Sequence, residues 1–238
     1  IGGNSDIGKA LAKEYSKLGY NLYLTCRDLT QLDNYCSDLS IRYSVKVYPK
    51  KLDVLEFNTH NKFYNSLNPK PFGAISCVGY LDDQNKAEND FGICLKSINT
   101  NYVALVSLLN LISNDFIKDQ KNNFIVGISS VAGERGRSSN YIYGSAKSGF
   151  TTYLSGLRSR LNIYNINVLT VIPGYVYTKM TSHIDLPAIL TCTPKYVAKK
   201  IVKAQIKNKN IIYIKWFWKY LMTIIKLLPE SLFKKLTI

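Results

Sequence analysis

The chain opens on Ile1-Gly2-Gly3-Asn4-Ser5-Asp6-Ile7-Gly8, a glycine turn that leads into the helical pattern of residues 7–18. Glycines in such a turn let the backbone approach a ligand closely. The free N–H groups and the positive dipole end of the following helix favour a pyrophosphate. Many helices begin at a glycine turn, and the spacing here differs from the usual Gly-x-Gly-x-x-Gly pattern. The glycine turn alone therefore does not establish a pyrophosphate site, and other motifs along the chain are needed to identify one.

Short apolar runs alternate with helical patterns along the chain. The predicted strands are residues 20–26, 45–48, 74–77, 123–128, 168–172 and 211–214, and the predicted helices include 7–18, 90–114 and 141–162. This alternation predicts an α/β fold, a Rossmann-type doubly wound parallel sheet with helices on both faces, in a single domain. Ligands bind beyond the carboxyl ends of the strands in such folds, which is where the glycine turn and residues 76–79 fall.

Tyr143 and Lys147 lie in Tyr-Gly-Ser-Ala-Lys, and Ser130 lies 13 residues before Tyr143. In a helix the pair shares one face. A nearby ammonium favours the phenolate, so we expect Lys147 to lower the pKa of Tyr143. Such a phenol can exchange a proton with a substrate oxygen, which the Ser130 hydroxyl can also bind. With 18 Tyr and 31 Lys plus Arg in 238 residues, this spacing also occurs by chance on a helix surface.

The strand predicted over 20–26 ends at Cys26 and is followed by Arg27. In a dinucleotide fold an acidic residue here binds the adenosine ribose, whereas a nearby Arg accommodates a 2′-phosphate. Arg27 therefore favours NADPH over NADH. The alternative is that Arg27 only covers the surface of a loop.

The order of these signals resembles the short-chain dehydrogenase/reductase family. Residues 1–8 match that family's Thr-Gly-x-x-x-Gly-x-Gly turn, with Ile1 in place of the Thr and Asp6 in place of the middle glycine. Asp6 would place a carboxylate near the phosphates unless its side chain points away. The resemblance runs from residue 1 to about 190, and it implies an NADP-dependent oxidoreductase that acts on CH–OH groups.

The resemblance also implies the site residues. The catalytic tetrad would be Asn101, Ser130, Tyr143 and Lys147, with Asn101 holding a water that links Lys147 to solvent. Residues 76–79, Ser-Cys-Val-Gly, keep only the Gly of the family's Asn-Asn-Ala-Gly. The implied cofactor-binding residues are Gly2, Asn4, Ser5, Asp6, Ile7, Gly8, Arg27, Asp53, Val54, Val78, Gly79, Tyr143, Lys147, Pro173, Gly174, Val176 and Thr178.

A narrower resemblance covers residues 128–147 and 154–161. They are similar to the reductase subunits of decaprenylphosphoryl-ribose 2′-epimerases and to related reductases of bacterial polysaccharide clusters. This branch implies reduction of a 2-keto sugar, carried on a polyprenyl phosphate, together with a partner oxidase. Arg135 and Arg137, between Ser130 and Tyr143, are candidates to clamp a substrate phosphate. The alternative is a solvated loop salt-bridged through Glu134.

Composition fits a globular protein in a reducing compartment. The apolar content is 46% and the charged content 20%. Five Cys lack metal-type spacing, and His60 and His183 alone cannot build a His-based metal site, so we expect free thiols and no metal. We see no signal peptide and no charge-free run long enough to span a bilayer, so a cytoplasmic location is expected. The first residue already belongs to the turn after a strand, and the sequence looks like a fragment lacking that strand.

The end of the chain is apolar and basic. We expect residues 1–210 to form the NADP-binding domain, and residues 211–238 to add the last strand and a helix. Residues 216–228 contain two Trp and interspersed Lys, which suits a membrane interface better than a membrane span. The alternative is a helix packed on the domain or on a second subunit, since the family commonly forms homo-oligomers. The net charge of +15 fits an anionic membrane surface; no nucleic-acid motif accompanies it.

Three functions remain open from the sequence. The leading one is reduction of a sugar ketone on a lipid carrier. The second is reduction of a small soluble ketone or 3-oxoacyl substrate. The third is a non-catalytic NADP-binding scaffold, which the complete tetrad disfavours.

Overall fold

The structure is a computed structural model that describes residues 1–119, 122–182 and 184–236. His183 and the last two residues of the 211–238 segment lie outside the described residues. The strands are β1 Leu22–Cys26, β2 Val47–Lys51, β3 Gly73–Ser76, β4 Phe124–Ile128, β5 Asn167–Pro173, β6 Tyr175–Val176, β7 Thr191–Cys192 and β8 Ile211–Ile214. The helices are α1 Asp6–Ser16, α2 Asp33–Tyr43, α3 His60–Asn65, α4 Gln84–Asn89, α5 Phe91–Ile98, α6 Ala104–Asp119, α7 Tyr141–Asn162, α8 Pro194–Ile206, α9 Phe217–Leu227 and α10 Glu230–Phe233.

All the strand pairs run parallel. The central sheet has the order β3-β4-β5-β8, and β1 pairs with β2 beside it. Residues 1–3 join these two groups, because the Ile1 nitrogen donates to the Ile75 carbonyl at 2.8 Å and Gly3 N–H donates to the Thr25 carbonyl at 2.8 Å. A mainly apolar cleft of about 780 Å³ lies between β1 and β3, lined by residues that include Leu22, Leu24 and Ala74. The last strand belongs to the central sheet, so the 211–214 segment is part of the main fold.

Helices cover both faces of the sheet. On one face Leu11 of α1 and Val197 and Ile201 of α8 pack against β4 and β5. On the other face α6 and α7 pack through residues such as Leu105 and Phe150. Both sides of strand β4 are buried over its whole length, which explains the near-continuous apolar run of its sequence.

The long helix predicted over residues 90–114 is interrupted. Helix α5 ends at Ile98, a π-helical turn follows over Asn99–Val103, and α6 continues to Asp119. π-Turns of this kind often occur at functional sites, and this one carries Asn101.

The same helical run corrects an expectation about membranes. The described residues contain one helical run, Phe91–Asp119, that is long and apolar enough to cross a membrane by length and composition. Residues 97–114 carry no charged side chain, so the expectation that no such run exists is wrong. Leu109, Ile112 and Phe116 of this run are buried in the core, which is the behaviour of a core helix in a globular fold.

Candidate active site

Ser130, Tyr143 and Lys147 come together at the carboxyl end of β4. The strand ends at Ile128, and Ser130 follows it in extended backbone. Tyr143 and Lys147 lie one turn apart in α7, with the Lys147 Nζ 5.8 Å from the centre of the Tyr143 ring. The Ser130 hydroxyl accepts from the Ala132 N–H at 3.1 Å, and the Ser130 side chain acts on the Tyr143 phenol to lower its pKa. A serine, a phenol and an ammonium group therefore share one small region.

The electrostatics of this cluster differ from the expectation that Lys147 lowers the pKa of Tyr143. Burial raises the pKa of Tyr143 to about 12, and the hydrogen bond with Ser130 acts in the opposite direction. Burial lowers the pKa of Lys147 to about 8. The Lys147 side chain is 3% exposed, and its Nζ donates to the Ile128 carbonyl at 3.2 Å. The expected direction was wrong because burial raises the Tyr143 pKa more than Ser130 lowers it.

Asn101 is fully buried and already bonded to protein groups. Its Oδ1 accepts from the Tyr80 N–H at 3.0 Å, and its Nδ2 donates to the Tyr80 and Ser97 carbonyls at 2.6 and 2.9 Å. The side chain therefore fixes the loop after β3 to the π-turn. The water-holding role expected for Asn101 stays a prediction.

The glycine turn has the shape of an anion cradle. Gly2 has a φ of 79°, which L side chains rarely adopt, and a Cβ on Gly8 would lie 2.5 Å from the Gly2 carbonyl oxygen. Ser5 caps α1 by accepting from the Gly8 N–H at 3.1 Å, and its hydroxyl donates to the Gly2 carbonyl at 2.8 Å. The turn leads into the first N–H groups of α1, so the residues present fit a cofactor pyrophosphate.

Asp6, in the first turn of α1, bonds to the segment after β5, and we call the space between the glycine turn and that segment the cofactor groove. Its Oδ2 accepts a hydrogen bond from the Lys179 N–H at 2.7 Å. Of the neighbouring predicted residues, Asn4 donates its side-chain amide to Gln31, and Ile7 packs on the core. The contact between Asp6 and Lys179 joins segments 173 residues apart, which sequence reasoning did not find.

The residues predicted for the adenosine end lie beyond β1 and β2. Arg27 is exposed directly after Cys26, which is in register with Lys51 of β2. The Asp53 carboxylate accepts from the Leu55 N–H at 3.0 Å, so it also shapes its own turn. Val54 is buried beside Ala104 and Leu108.

The segment after β5 crosses the end of the sheet. Pro173 closes β5, and a Cβ on Gly174 would lie 2.0 Å from the Trp218 ring, so this glycine permits close packing of α9. Thr178 and Thr181 form a capping box around the short helix Lys179–Thr181. The Met180 methyl would lie 3.1 Å from a Cβ on Gly79, which places Met180 against the loop after β3. Val176 is buried in β6, and Val78 packs on the core beside Gly79.

The expected clamp of two guanidinium groups is wrong for Arg135. Its Nη1 donates to the carbonyls of Ile225, Lys226 and Leu228 at 2.8, 3.1 and 2.7 Å, and its Nη2 lies 2.8 Å from Glu230. Cations are favoured at the C-terminal end of a helix, where carbonyls lack partners. Arg135 therefore fastens the loop after Ser130 to the end of α9.

Two further residues of this loop have different surroundings. Glu134 accepts from the Tyr213 hydroxyl at 2.6 Å and pairs with Lys226 at 3.3 Å, rather than with Arg135. The Arg137 Nε is buried without a protein hydrogen-bond partner. A substrate role for Arg137 stays a prediction.

No group of three or more His, Cys, Asp or Glu side chains that could hold a metal ion occurs within residues 1–119, 122–182 and 184–236. The five cysteines are free thiols, and three of them are buried, namely Cys26, Cys36 and Cys192.

Comparison with known proteins identifies the family. The family described as short chain dehydrogenase matches residues 1–187. An uncharacterized oxidoreductase of Mycobacterium tuberculosis is 32% identical over 239 residues, covering 99% of this chain and 95% of its own length. A 3-oxoacyl-[acyl-carrier-protein] reductase of Bos taurus is 26% identical over 188 residues, covering 78% and 77% of the two chains. The chain therefore belongs to the short-chain dehydrogenase family.

The fold is confirmed by solved structures. A short-chain dehydrogenase from Sphingobium yanoikuyae in complex with NADPH superimposes with a TM-score of 0.82. It is 18% identical and covers 97% of this chain and 95% of its own length. The predicted parallel sheet with helices on both faces, and the predicted oxidoreductase class, are confirmed.

Proposed function

We propose that this protein is an NADP-dependent reductase that converts a ketone to a secondary alcohol. The observation that carries the proposal is the cluster of Ser130, Tyr143 and Lys147 at the carboxyl end of β4, at the same edge of the sheet as the glycine turn. The bound cofactor would supply the hydride to the carbonyl carbon. Ser130 would hold the carbonyl oxygen, and Tyr143 would donate the proton to it. Lys147 would bind the nicotinamide ribose and stabilise the phenolate that remains on Tyr143.

Several positions support NADPH over NADH. Cys26 lacks the carboxylate that would bind a free ribose hydroxyl, and Arg27 is exposed next to it. Lys51 lies beside Cys26 in the neighbouring strand and adds a second cation at this end. The Sphingobium yanoikuyae structure has NADPH bound. The remaining residues predicted to contact the cofactor, from Asp53 to Thr178, lie at or after the carboxyl ends of β2, β3 and β5.

For the substrate we propose a 2-keto sugar carried on a polyprenyl phosphate, in cell-surface polysaccharide synthesis. Two features support it: the resemblance of residues 128–147, and an exposed apolar face near the site. A partner oxidase would supply the ketone if the reaction sequence is an epimerisation. The buried Arg137 Nε is the remaining candidate from the predicted phosphate clamp.

The proposed membrane contact is the outer face of α9. Trp216, Tyr220, Ile224 and Leu227 are 75%, 60%, 61% and 77% exposed, whereas Trp218 and Met222 on the inner face are buried. Exposed aromatic and aliphatic side chains together with basic residues favour the interface of an anionic membrane. We place the protein in the cytoplasm with this face on the membrane, and residues 216–228 would then be the membrane-contacting part of the segment that follows the NADP-binding domain of residues 1–210.

A vesicle experiment tests this contact. Sedimentation with anionic vesicles should retain the wild-type chain and lose Trp216→Ser/Leu227→Ser. Ile41→Ser is the matched control, because Ile41 is 83% exposed on α2, away from α9. Equal binding of all three chains would contradict the proposed face. A homo-oligomer that covers α9 is the competing arrangement, and light scattering would then show a mass that falls in the double variant.

The alternative function is reduction of a small soluble ketone or 3-oxoacyl substrate. The Bos taurus relative, named as a 3-oxoacyl-[acyl-carrier-protein] reductase, supports it. The discriminating experiment compares kcat/KM for NADPH oxidation with a polyprenyl-phosphoryl 2-keto pentose in vesicles and with a 3-oxoacyl thioester. Higher kcat/KM for the lipid-linked sugar supports the leading proposal, and the reverse order supports the alternative. Turnover of neither, with NADPH bound, would favour a non-catalytic scaffold.

A further inference from the structure

We propose that Asp6 is a positioning residue that latches the flap, defined as residues 178–182, over the cofactor groove and so slows cofactor exchange. The inference rests on the proposed function, because it takes the groove at the glycine turn to hold NADP(H). Asp6 replaces a glycine of the family pattern, so the side chain is a feature of this chain.

The latch is a single charge-assisted hydrogen bond between the first turn of α1 and the flap. The Asp6 Oδ2 accepts from the Lys179 N–H at 2.7 Å. Lys179 begins the short helix Lys179–Thr181, whose other end is held because the Thr181 hydroxyl donates to the Val176 carbonyl at 2.6 Å. Charged acceptors form hydrogen bonds about twice as strong as neutral ones.

The flap also reaches the opposite wall of the groove. Met180 lies against Gly79, at the end of the loop that Asn101 fixes through Tyr80. The flap therefore extends from the first turn of α1, where the pyrophosphate would bind, to the loop after β3. We expect a ligand held between these two walls to leave when the flap moves, and the bond to Asp6 would resist that movement.

The carboxylate has two opposing effects on the cofactor. Its position in the first turn of α1 is stabilised by the helix dipole, and it holds the flap. Its negative charge also repels a pyrophosphate at the same helix end. Asp6→Asn separates the two effects, because it keeps a hydrogen-bond acceptor and removes the charge, whereas Asp6→Gly removes both.

The first test needs no cofactor. Amide hydrogen exchange should show that Asp6→Gly increases exchange at the Lys179 N–H by about 10-fold, with Asp6→Asn between this variant and the wild type. Asp33→Asn is the matched control, since Asp33 also lies in the first turn of a helix, α2, away from the flap. Unchanged exchange at Lys179 in Asp6→Gly and Asp6→Asn would overturn the latch.

The second test measures cofactor release. Stopped-flow fluorescence of NADPH should show release about 10-fold faster from Asp6→Gly than from the wild type, with a smaller increase in Asp6→Asn and none in Asp33→Asn. Faster exchange without faster release would overturn the control of cofactor exit by Asp6. A wild-type chain that binds no NADPH would instead overturn the proposed function, and the exchange measurement would still decide the latch. Circular dichroism of each variant checks that α1 remains folded, and Asp6→Asn carries both tests if Asp6→Gly does not fold.

Discussion

Replacing Arg135 with Ala should destabilise the fold through the end of α9. The side chain is only 15% exposed and donates from Nη1 to the carbonyls of Ile225, Lys226 and Leu228. Its guanidinium also lies 3.9 Å from the centre of the Phe233 ring. Truncation removes all of these interactions, and of the three carbonyls Ile225 keeps a hydrogen bond from the Leu228 N–H at 3.4 Å.

The structure sets the magnitude of this loss. A hydrogen bond to a charged group contributes about 1.5–3 kcal/mol, but the three carbonyls share one nitrogen, so we count about 2 kcal/mol for them together. The contact with the Phe233 ring adds about 1 kcal/mol. The pair with Glu230 adds little, because Glu230 is 76% exposed and the pair is screened by solvent. The expected loss of unfolding free energy is about 3 kcal/mol.

Urea unfolding measures this loss directly. Arg135→Lys should recover only part of it, because an ammonium group cannot form the same fork. Arg137→Ala is the matched control from the same loop and should cost less, since the Arg137 Nε has no protein partner to lose. Equal, small losses for Arg135→Ala and Arg137→Ala, below about 0.5 kcal/mol, would refute the role of Arg135 as a helix fastener.

Two further predictions concern stability. Burial lowers the Lys147 pKa to about 8 from 10.5, so between these pH values the unfolded chain binds more protons than the folded chain, and the free energy of unfolding should rise with pH. In unfolding titrations the wild type should gain up to about 3 kcal/mol relative to Lys147→Met between pH 8 and 10.5. A stability difference between the two chains that stays constant with pH would contradict the burial of Lys147. Gly174→Ala should lower the free energy of unfolding by about 2–3 kcal/mol in thermal or urea unfolding, because the new Cβ would overlap Trp218. The control Gly156→Ala lies in a helix with open space around it and should stabilise the fold by about 0.5–1 kcal/mol. A small effect of Gly174→Ala would show that α9 shifts freely.

The sequence predicted the parts of the site that depend on local spacing. Tyr143 and Lys147 are four residues apart in a helix, so a shared face follows from helical geometry. The glycine turn follows from the need for positive φ at Gly2 and close approach at Gly8. The order of strands and helices followed from apolar periodicity, although the helix predicted over 90–114 is interrupted by a π-turn.

The contacts that could not be predicted join distant segments. Arg135 bonds to residues about 90 positions later, and Asp6 to a residue 173 positions later. Neither pairing leaves a periodic signal in the chain. The basic, aromatic C-terminal segment indicated a helix, but only the folded structure shows that its final carbonyls meet the loop after Ser130.

The pKa of Tyr143 could not be predicted from the sequence for a different reason. The sequence gives the charge of Lys147 but not the burial of the two groups. In the structure Lys147 is 3% exposed, and desolvation raises the Tyr143 pKa and lowers the Lys147 pKa. The direction and the magnitude of both pKa shifts depend on burial, which is set by the packing of the whole domain.

The most direct test of the central claim is NADPH oxidation with a ketone substrate by the wild type, Tyr143→Phe and Tyr141→Phe. Tyr141 is an exposed neighbour whose hydroxyl donates to Glu88, so it is a matched control for the loss of a phenol. We predict that Tyr143→Phe lowers kcat by about 10²–10⁴-fold while NADPH still binds, and that Tyr141→Phe keeps near-wild-type turnover. Undiminished turnover in Tyr143→Phe would contradict its assignment as the proton donor.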